Sequence, residues 1–215
     1  MMVGTIKNLS DNNMQNAERK TIFTIGHSNL DLEAFIKLLK DNVIEVLVDV
    51  RSNPYSQFAS QFNKDDIMKA IPASGIKYLY LGKELGGKPE GKEYYDSEGY
   101  VLYSRIADSP LFAEGIERLI KGINTYRVAI MCSEENPINC HRRLLVGKVL
   151  SDHGVNILHI RSDDRIQSED DVIQENNISK NDEAQQNLFE HEEKQEWKST
   201  QSVLQKKAHK NSLIV

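Results

Sequence analysis

The stretch Val43-Ile44-Glu45-Val46-Leu47-Val48-Asp49-Val50 is the part of the sequence from which the fold reads most directly. All its residues except Glu45 and Asp49 are aliphatic. The run does not alternate apolar with polar, so it suits a strand buried on both faces, as in a parallel sheet covered by helices. Its polar end, Asp49-Val50-Arg51, leads into Asn53-Pro54-Tyr55-Ser56. Asp49 and Arg51 share a face, because alternate strand residues point the same way.

Similar runs lie on either side. Thr21 to Gly26 (TIFTIG), Ile76 to Leu81 (IKYLYL), Arg127 to Met131 (RVAIM) and Val155 to Ile160 (VNILHI) each read as a strand. Between the first two, Ser28-Asn29-Leu30-Asp31 has the form of a helix start, and Leu32, Phe35, Ile36 and Leu39 follow at helical spacing. Asn63 is placed to cap a short helix through Ile67, Met68 and Ile71 that ends at Pro72 and Gly75. Val101 to Ile123 reads as a helical region bent near Pro110, and Asn139 to Asp152 as a helix closed by Gly154. Strands alternating with helices at these lengths imply right-handed βαβ units. The expected fold is α/β: a three-layer, Rossmann-like, mostly parallel sheet of about five strands with helices on both faces. Strand order is not legible.

The alternating pattern is confined to residues 21–162. Residues 1–20 are polar and Asn-rich and read as an extension. Residues 163–215 are acidic, then rich in Gln and Lys, and read as a disordered or partly helical tail, with Asn187 to Gln205 as its helical stretch and Phe189, Trp197 and Val203 as docking residues. The 215 residues are 39% hydrophobic and carry a formal net charge of -5, which argues against a globally basic nucleic-acid binder. The apolar runs are strand-sized, too short for a bilayer, and the first residues lack a signal-peptide core, so a cytoplasmic protein without a membrane partner is expected. Two cysteines, Cys132 and Cys140, do not make a disulfide scaffold and read as reduced thiols. No GxxxxGK[ST] or GxGxxG segment is present, and the sequence names no cofactor.

Ligands of open parallel α/β sheets bind beyond the carboxyl ends of the strands. There the sequence places Gly26-His27-Ser28, Asp49 and Arg51 with Ser56, Gly86-Gly87, Cys132-Ser133-Glu134, and Cys140-His141-Arg142 at the start of a helix. Each has a functional and a structural reading. His27 is a base or a loop-binding ring. Asp49 and Arg51 contact ligand or pair with each other. Gly86 and Gly87 meet a ligand or merely turn the chain. Cys132 is reactive or a small core residue. Cys140, at a helix start beside His141, Arg142 and Arg143, is where a thiolate is favoured. Arg142 clamps an anion or pairs with an acid such as Glu134 or Asp49. Tyr94, Tyr95, Tyr100 and Tyr103 read as packing first, and as a stacking wall for a ring second.

Thr24-Ile25-Gly26-His27-Ser28, Asp49-Val50-Arg51 with Pro54 and Ser56, Leu85-Gly86-Gly87, and Met131-Cys132-Ser133-Glu134 through Pro137 to Cys140-His141-Arg142 resemble the signature segments of the bacterial and archaeal family catalogued as domain of unknown function 488. The resemblance spans Thr21 to Ile160 and implies a small α/β domain without implying a reaction. The layout strand–Cys132–loop–helix–Gly154–strand is also similar to rhodaneses and cysteine phosphatases, but the stretch from Cys132 to Arg142 is longer than their anion-binding loop and contains Pro137 and a second cysteine.

These residues support three chemistries and a bland alternative. The first is an enzyme on a small anionic or nucleotide-like substrate, with Cys140 or Cys132 as nucleophile, His27 or His141 as base, and Arg142 as anion clamp; Asp49, Arg51, Ser56, Gly86, Gly87 and Glu134 would contact substrate. The second is a zinc site built from Cys132, Cys140, His141 and His27. The third is a nucleic-acid-associated module using Arg51, Lys83, Lys88, Lys92, Arg142 and Arg143. The bland alternative is a binding protein without chemistry.

Overall fold

The computed structural model describes residues 20–184 and 196–204. Within them the chain is mixed α/β, with six strands and seven α-helices: β1 (Thr21–Gly26), α1 (Leu32–Asp41), β2 (Val46–Asp49), α2 (Lys64–Ala73), β3 (Lys77–Tyr80), α3 (Gly82–Leu85), α4 (Tyr103–Ala107), α5 (Pro110–Ile123), β4 (Val128–Cys132), α6 (Lys148–Asp152), β5 (Asn156–Ile160), β6 (Ile166–Ser168) and α7 (Glu169–Ala184). They form one sheet in the order β3-β2-β4-β1-β5-β6. All neighbours are parallel except β5 and β6. Alternate strand residues enter two separate apolar clusters. Val46, Val48, Val128 and Ile130 join one with residues of α3 to α6; Leu47, Ala129 and Met131 join the other with Phe35 and Leu39 of α1 and Ile67 and Ile71 of α2. Removing this much apolar surface from water is what holds the helices to the sheet.

Several boundaries differ from the sequence expectation. The second strand begins at Val46, not Val43. Val43 turns the chain after α1, with φ +54° and a side chain 68% exposed, a costly conformation for a β-branched residue. Asp31 is the N-cap of α1 but makes no side-chain cap bond, and the Ser28 hydroxyl turns toward Asn29. Asn63 precedes α2, yet its Oδ1 accepts from the Ser56 amide instead of capping the helix; Pro72 lies inside the helix's last turns. Pro110 does not bend a continuous helix. It is the first residue of α5, capped by the Ser109 hydroxyl, as suits a residue with no N–H to satisfy. The helix expected from Asn139 starts at His141 and passes through a π-helical segment, Arg142–Gly147, before α6.

Beyond residue 162 the chain adds β6, paired antiparallel to β5, and then α7. Polarity hides them, because both are held by charges rather than by an apolar stripe: Arg161 bonds Glu135 and Gln167, and Arg143 bonds Glu169. Residues 1–19 and Phe189 lie outside the described residues. Trp197 and Val203 lie inside them and pack against the first apolar cluster, in an extended segment rather than a helix.

Candidate functional site

β4 lies between β1 and β2, so the C-terminal ends of the three strands bearing His27, Asp49 and Cys132 stand side by side. Main-chain bonds continue past the strands and stitch these ends together: His27 N–H to Cys132 O, Ser28 N–H to Ser133 O, and Val50 N–H to Met131 O. Gly26 permits this approach. A Cβ there would sit 1.7 Å from the Glu134 carbonyl oxygen.

One polar cluster is a buried ion pair with a histidine attached. Arg51 donates to both Asp49 carboxylate oxygens, at 2.9 and 2.7 Å, and to the Phe62 carbonyl at 2.8 Å. Tyr78 adds a hydroxyl donor to Asp49 at 2.8 Å. His27 Nδ1 lies 2.8 Å from the Ser28 carbonyl and therefore carries the proton, so Nε2 is the acceptor facing Arg51 Nη1 at 3.1 Å. Burial first, and then the Arg51 charge, pull the His27 pKa down to about 4. The ring also stacks on Phe62. His27 is thus neutral with both nitrogens engaged, and Asp49 and Arg51 satisfy each other.

The second cluster brings four expected residues together. The Cys132 and Cys140 sulfurs and a His141 ring nitrogen lie within 4.8 Å of one another. Cys132 Sγ is 3.6 Å from His141 Nδ1. Glu134 Oε2 lies 3.2 Å from Cys132 Sγ and 3.0 Å from Cys140 Sγ. Both thiols are free and nearly inaccessible, 4% and 1% exposed. Burial disfavours a thiolate at Cys140, but a hydrogen bond from Cys132 and the charges of Arg142 and His141 outweigh it and hold this pKa well below the ordinary thiol range. That bond, burial and the negative charge beside it raise Cys132. Burial lowers His141, yet its contacts with Cys140 and the Val50 carbonyl raise it overall. The two buried sulfurs and Glu134 are thus one interacting group, with the lowered pKa at Cys140 and the raised one at Cys132. Cys140 owes its place to the helix start: its carbonyl accepts from Arg143 N–H and Leu144 N–H.

Arg142 is fully buried, and no carboxylate among the described residues pairs with it. It donates to the main-chain carbonyls of Glu134 and Glu135 and to Thr24 Oγ1. It fixes the loop that carries Glu134, and three of the five guanidinium N–H donors are spent on these contacts. Thr24 also bonds His159 Nδ1, whose Nε2 faces Glu169, so the buried network continues to α7. Because Arg51 and Arg142 are buried and Arg143 pairs with Glu169, the six cations do not form a solvent-facing basic surface.

Gly86 and Gly87 have packing reasons. A Cβ at Gly86 would meet Ser52 Oγ and the Gly82 carbonyl, each at 2.3 Å; one at Gly87 would lie 2.5 Å from His141 Cγ. Ser56 is away from the thiols, organising its own loop through the Asn63 side chain and the Phe58 amide.

A cleft of about 190 Å³ opens onto the second cluster, with Cys132, Glu134 and His141 along it. Arg51, Ser52, Asn53, Lys88, Ser133 and Asn139 supply polar walls, and Tyr103 and Val101 an apolar one. Tyr103 is 3% exposed. The remaining wall is Ser199 to Val203. The sequence offers Tyr103 only as a secondary candidate and does not offer this segment as part of the site. Tyr103 sits among other tyrosines, and the segment lies almost 60 residues after the last signature motif.

An α/β domain with a thiol, imidazole and carboxylate cluster at the carboxyl ends of its central strands is what fold and site define. The chain belongs to the family described as Domain of unknown function DUF488, which it matches over residues 31–149. No curated protein matches the sequence. Among solved structures it is similar to a candidate phosphatase (DUF442) from Shewanella putrefaciens CN-32 in two crystal structures, at 1.60 and 1.40 Å resolution. Both have a TM-score of 0.35; identities are 15% and 14%, covering 69% and 66% of this chain and 79% and 80% of the other. No helix among the described residues is long and apolar enough to cross a membrane.

Proposed function

We propose that this protein binds a zinc ion through Cys132, Cys140 and His141, and that the ion serves as a Lewis acid for a small polar substrate held in the cleft. The observation that carries this reading is the orientation of His141. Its Nε2 donates to the Val50 carbonyl at 3.0 Å, which leaves the Nδ1 lone pair aimed at the sulfurs. Metal-ligating histidines are ordinarily oriented in this way, by a backbone carbonyl on the second nitrogen. With zinc–sulfur bonds near 2.3 Å and zinc–nitrogen bonds near 2.0 Å, tetrahedral ligand atoms lie roughly 3.3–3.8 Å apart, so the separations present need only small adjustments. Two thiolates neutralise the ion, and Arg142 offsets the added charge of Glu134. Held by three protein ligands, zinc would keep a coordination position for an exogenous group, and would supply activation of a water or polarisation of a carbonyl or phosphoryl oxygen. Glu134, which touches both sulfurs and lines the cleft, is the group placed to take the proton from such a water.

A second reading, thiol chemistry at Cys140 on a small anionic or nucleotide-like molecule, is favoured by the lowered pKa of that thiol beside Arg142 and His141. Burial of that sulfur behind Cys132 and the prior engagement of Arg142 count against it. The three-layer, Rossmann-like architecture belongs with these proposals, supported by the two apolar clusters fed by alternate strand residues. The deciding experiment is metal analysis of chelator-stripped protein re-equilibrated with zinc, with both thiols assayed by alkylation. The zinc reading expects one ion per chain and thiols protected only when it is bound. Unprotected, fast-reacting Cys140 with no retained zinc supports the thiol reading instead.

A further inference from the structure

We infer that Trp197–Val203 is a strap that gates the cleft, and that Trp197 is its latch. The strap is attached to the rim from 95–103, about a hundred residues earlier in the chain. Tyr103 N–H donates to the Trp197 carbonyl, Ser199 N–H to the Val101 carbonyl, and Val203 N–H to the Gly99 carbonyl. The Ser199 hydroxyl accepts from the Val101 amide, the Ser202 hydroxyl donates to the Glu98 carbonyl, and Lys198 pairs with Asp96 at 2.9 Å. These bonds are few and polar, and the side-chain ones are only partly buried, the kind that opens locally without global unfolding. The one large apolar anchor is Trp197. Its ring meets Tyr103 edge-on with centroids 6.2 Å apart, and its Nε1 donates to the Leu144 carbonyl at 2.9 Å.

The consequence is geometric. Ser199 to Val203 form one wall of the same cleft that has Cys132, Glu134 and His141 along it. Removing that wall widens the approach to the thiols, while Arg142 and the strand-end bonds that position them stay in place. Trp197 also backs Tyr103, the buried tyrosine that lines the same approach. A strap held by one aromatic anchor and a few rim bonds therefore controls which molecules reach the site, and it responds to anything that competes for the Trp197 seat.

This inference rests on the cleft being the functional site, so its test is independent of zinc. In metal-free full-length protein, iodoacetamide modification of Cys132 and Cys140 is followed by peptide mapping, with amide hydrogen exchange measured in parallel. Trp197→Ala is expected to release the amides of Tyr103, Ser199 and Val203 and to raise Cys132 alkylation at least tenfold, with exchange in β1 and β4 unchanged. Trp197→Phe, which keeps the ring but loses the Leu144 bond, should fall between. Released strap amides with an alkylation rate within twofold of wild type would overturn the gate. Strap amides still protected in Trp197→Ala would overturn the latch, and a rise accompanied by opening of β1 and β4 would show loss of fold rather than gating.

Discussion

Gly87 and His141 are packed so closely that the imidazole occupies the space a Cβ would need: the ideal Cβ of residue 87 falls 2.5 Å from His141 Cγ and 2.9 Å from Nδ1. Gly87→Ala must therefore push the ring off the line joining the Val50 carbonyl to the sulfurs. Loss of supporting contacts around a ligand costs about 10–100-fold in metal affinity. A drop of that size, with the urea midpoint of the metal-free protein lowered by less than about 1 kcal/mol equivalent, is expected. Competition against a chromophoric chelator measures it. Unchanged affinity would mean that the ring position does not matter to the ion.

Asp49→Asn should be among the most destabilising single changes. It leaves Arg51 buried with its charge uncompensated, and breaking one side of a buried pair costs about 3–5 kcal/mol. Chemical denaturation checks this directly. A loss below 1 kcal/mol would show that the His27 and Phe62 contacts suffice to hold the guanidinium.

Arg142→Met fills similar volume but abandons two loop carbonyls and the Thr24 hydroxyl. Each unsatisfied buried group costs about 1–3 kcal/mol, so a loss of at least 3 kcal/mol is expected, with Glu134 no longer fixed against the sulfurs. If Arg142 instead served mainly as an anion clamp, the variant would keep its stability and lose only ligand binding.

His27 makes stability depend on pH in a defined direction. Its pKa in the folded protein is about 4, against about 6.5 when unfolded. Below pH 6.5 the unfolded chain takes up a proton that the folded chain refuses. The contribution is complete above that pH and is lost as pH falls toward 4, by up to about 3 kcal/mol. His159, also held low by burial, acts in the same direction. Unfolding free energies measured from pH 7.5 to 4.5 should fall more steeply for the wild type than for His27→Gln. Equal slopes would exclude His27 as the source.

The sheet was legible because Val46 to Asp49, Thr21 to Gly26 and Val128 to Cys132 are buried on both faces, and that burial leaves continuous apolar runs. What the runs do not encode is which strands touch. The adjacency of Cys132 to both His27 and Val50 comes from β4 inserting between β1 and β2. Cys132, Cys140, His141 and Glu134 could be chosen from their place after a strand and at a helix start, since those positions are local. Asp49 could be named as a partner of Arg51 because alternate strand residues share a face; the Phe62 carbonyl on Arg51, the partners of Arg142 and the ring against Gly87 could not, because tertiary packing brings them in. β6 and α7 were missed for a related reason: ion pairs such as Arg143–Glu169 hold them, and those leave no hydrophobic period in the sequence.

X-ray absorption at the zinc edge of the re-equilibrated protein tests the central claim most directly. The account predicts two sulfur scatterers at about 2.3 Å with nitrogen or oxygen at about 2.0 Å, one sulfur fewer in Cys132→Ser and in Cys140→Ser. A first shell of oxygen and nitrogen alone, unchanged by either substitution, would contradict it.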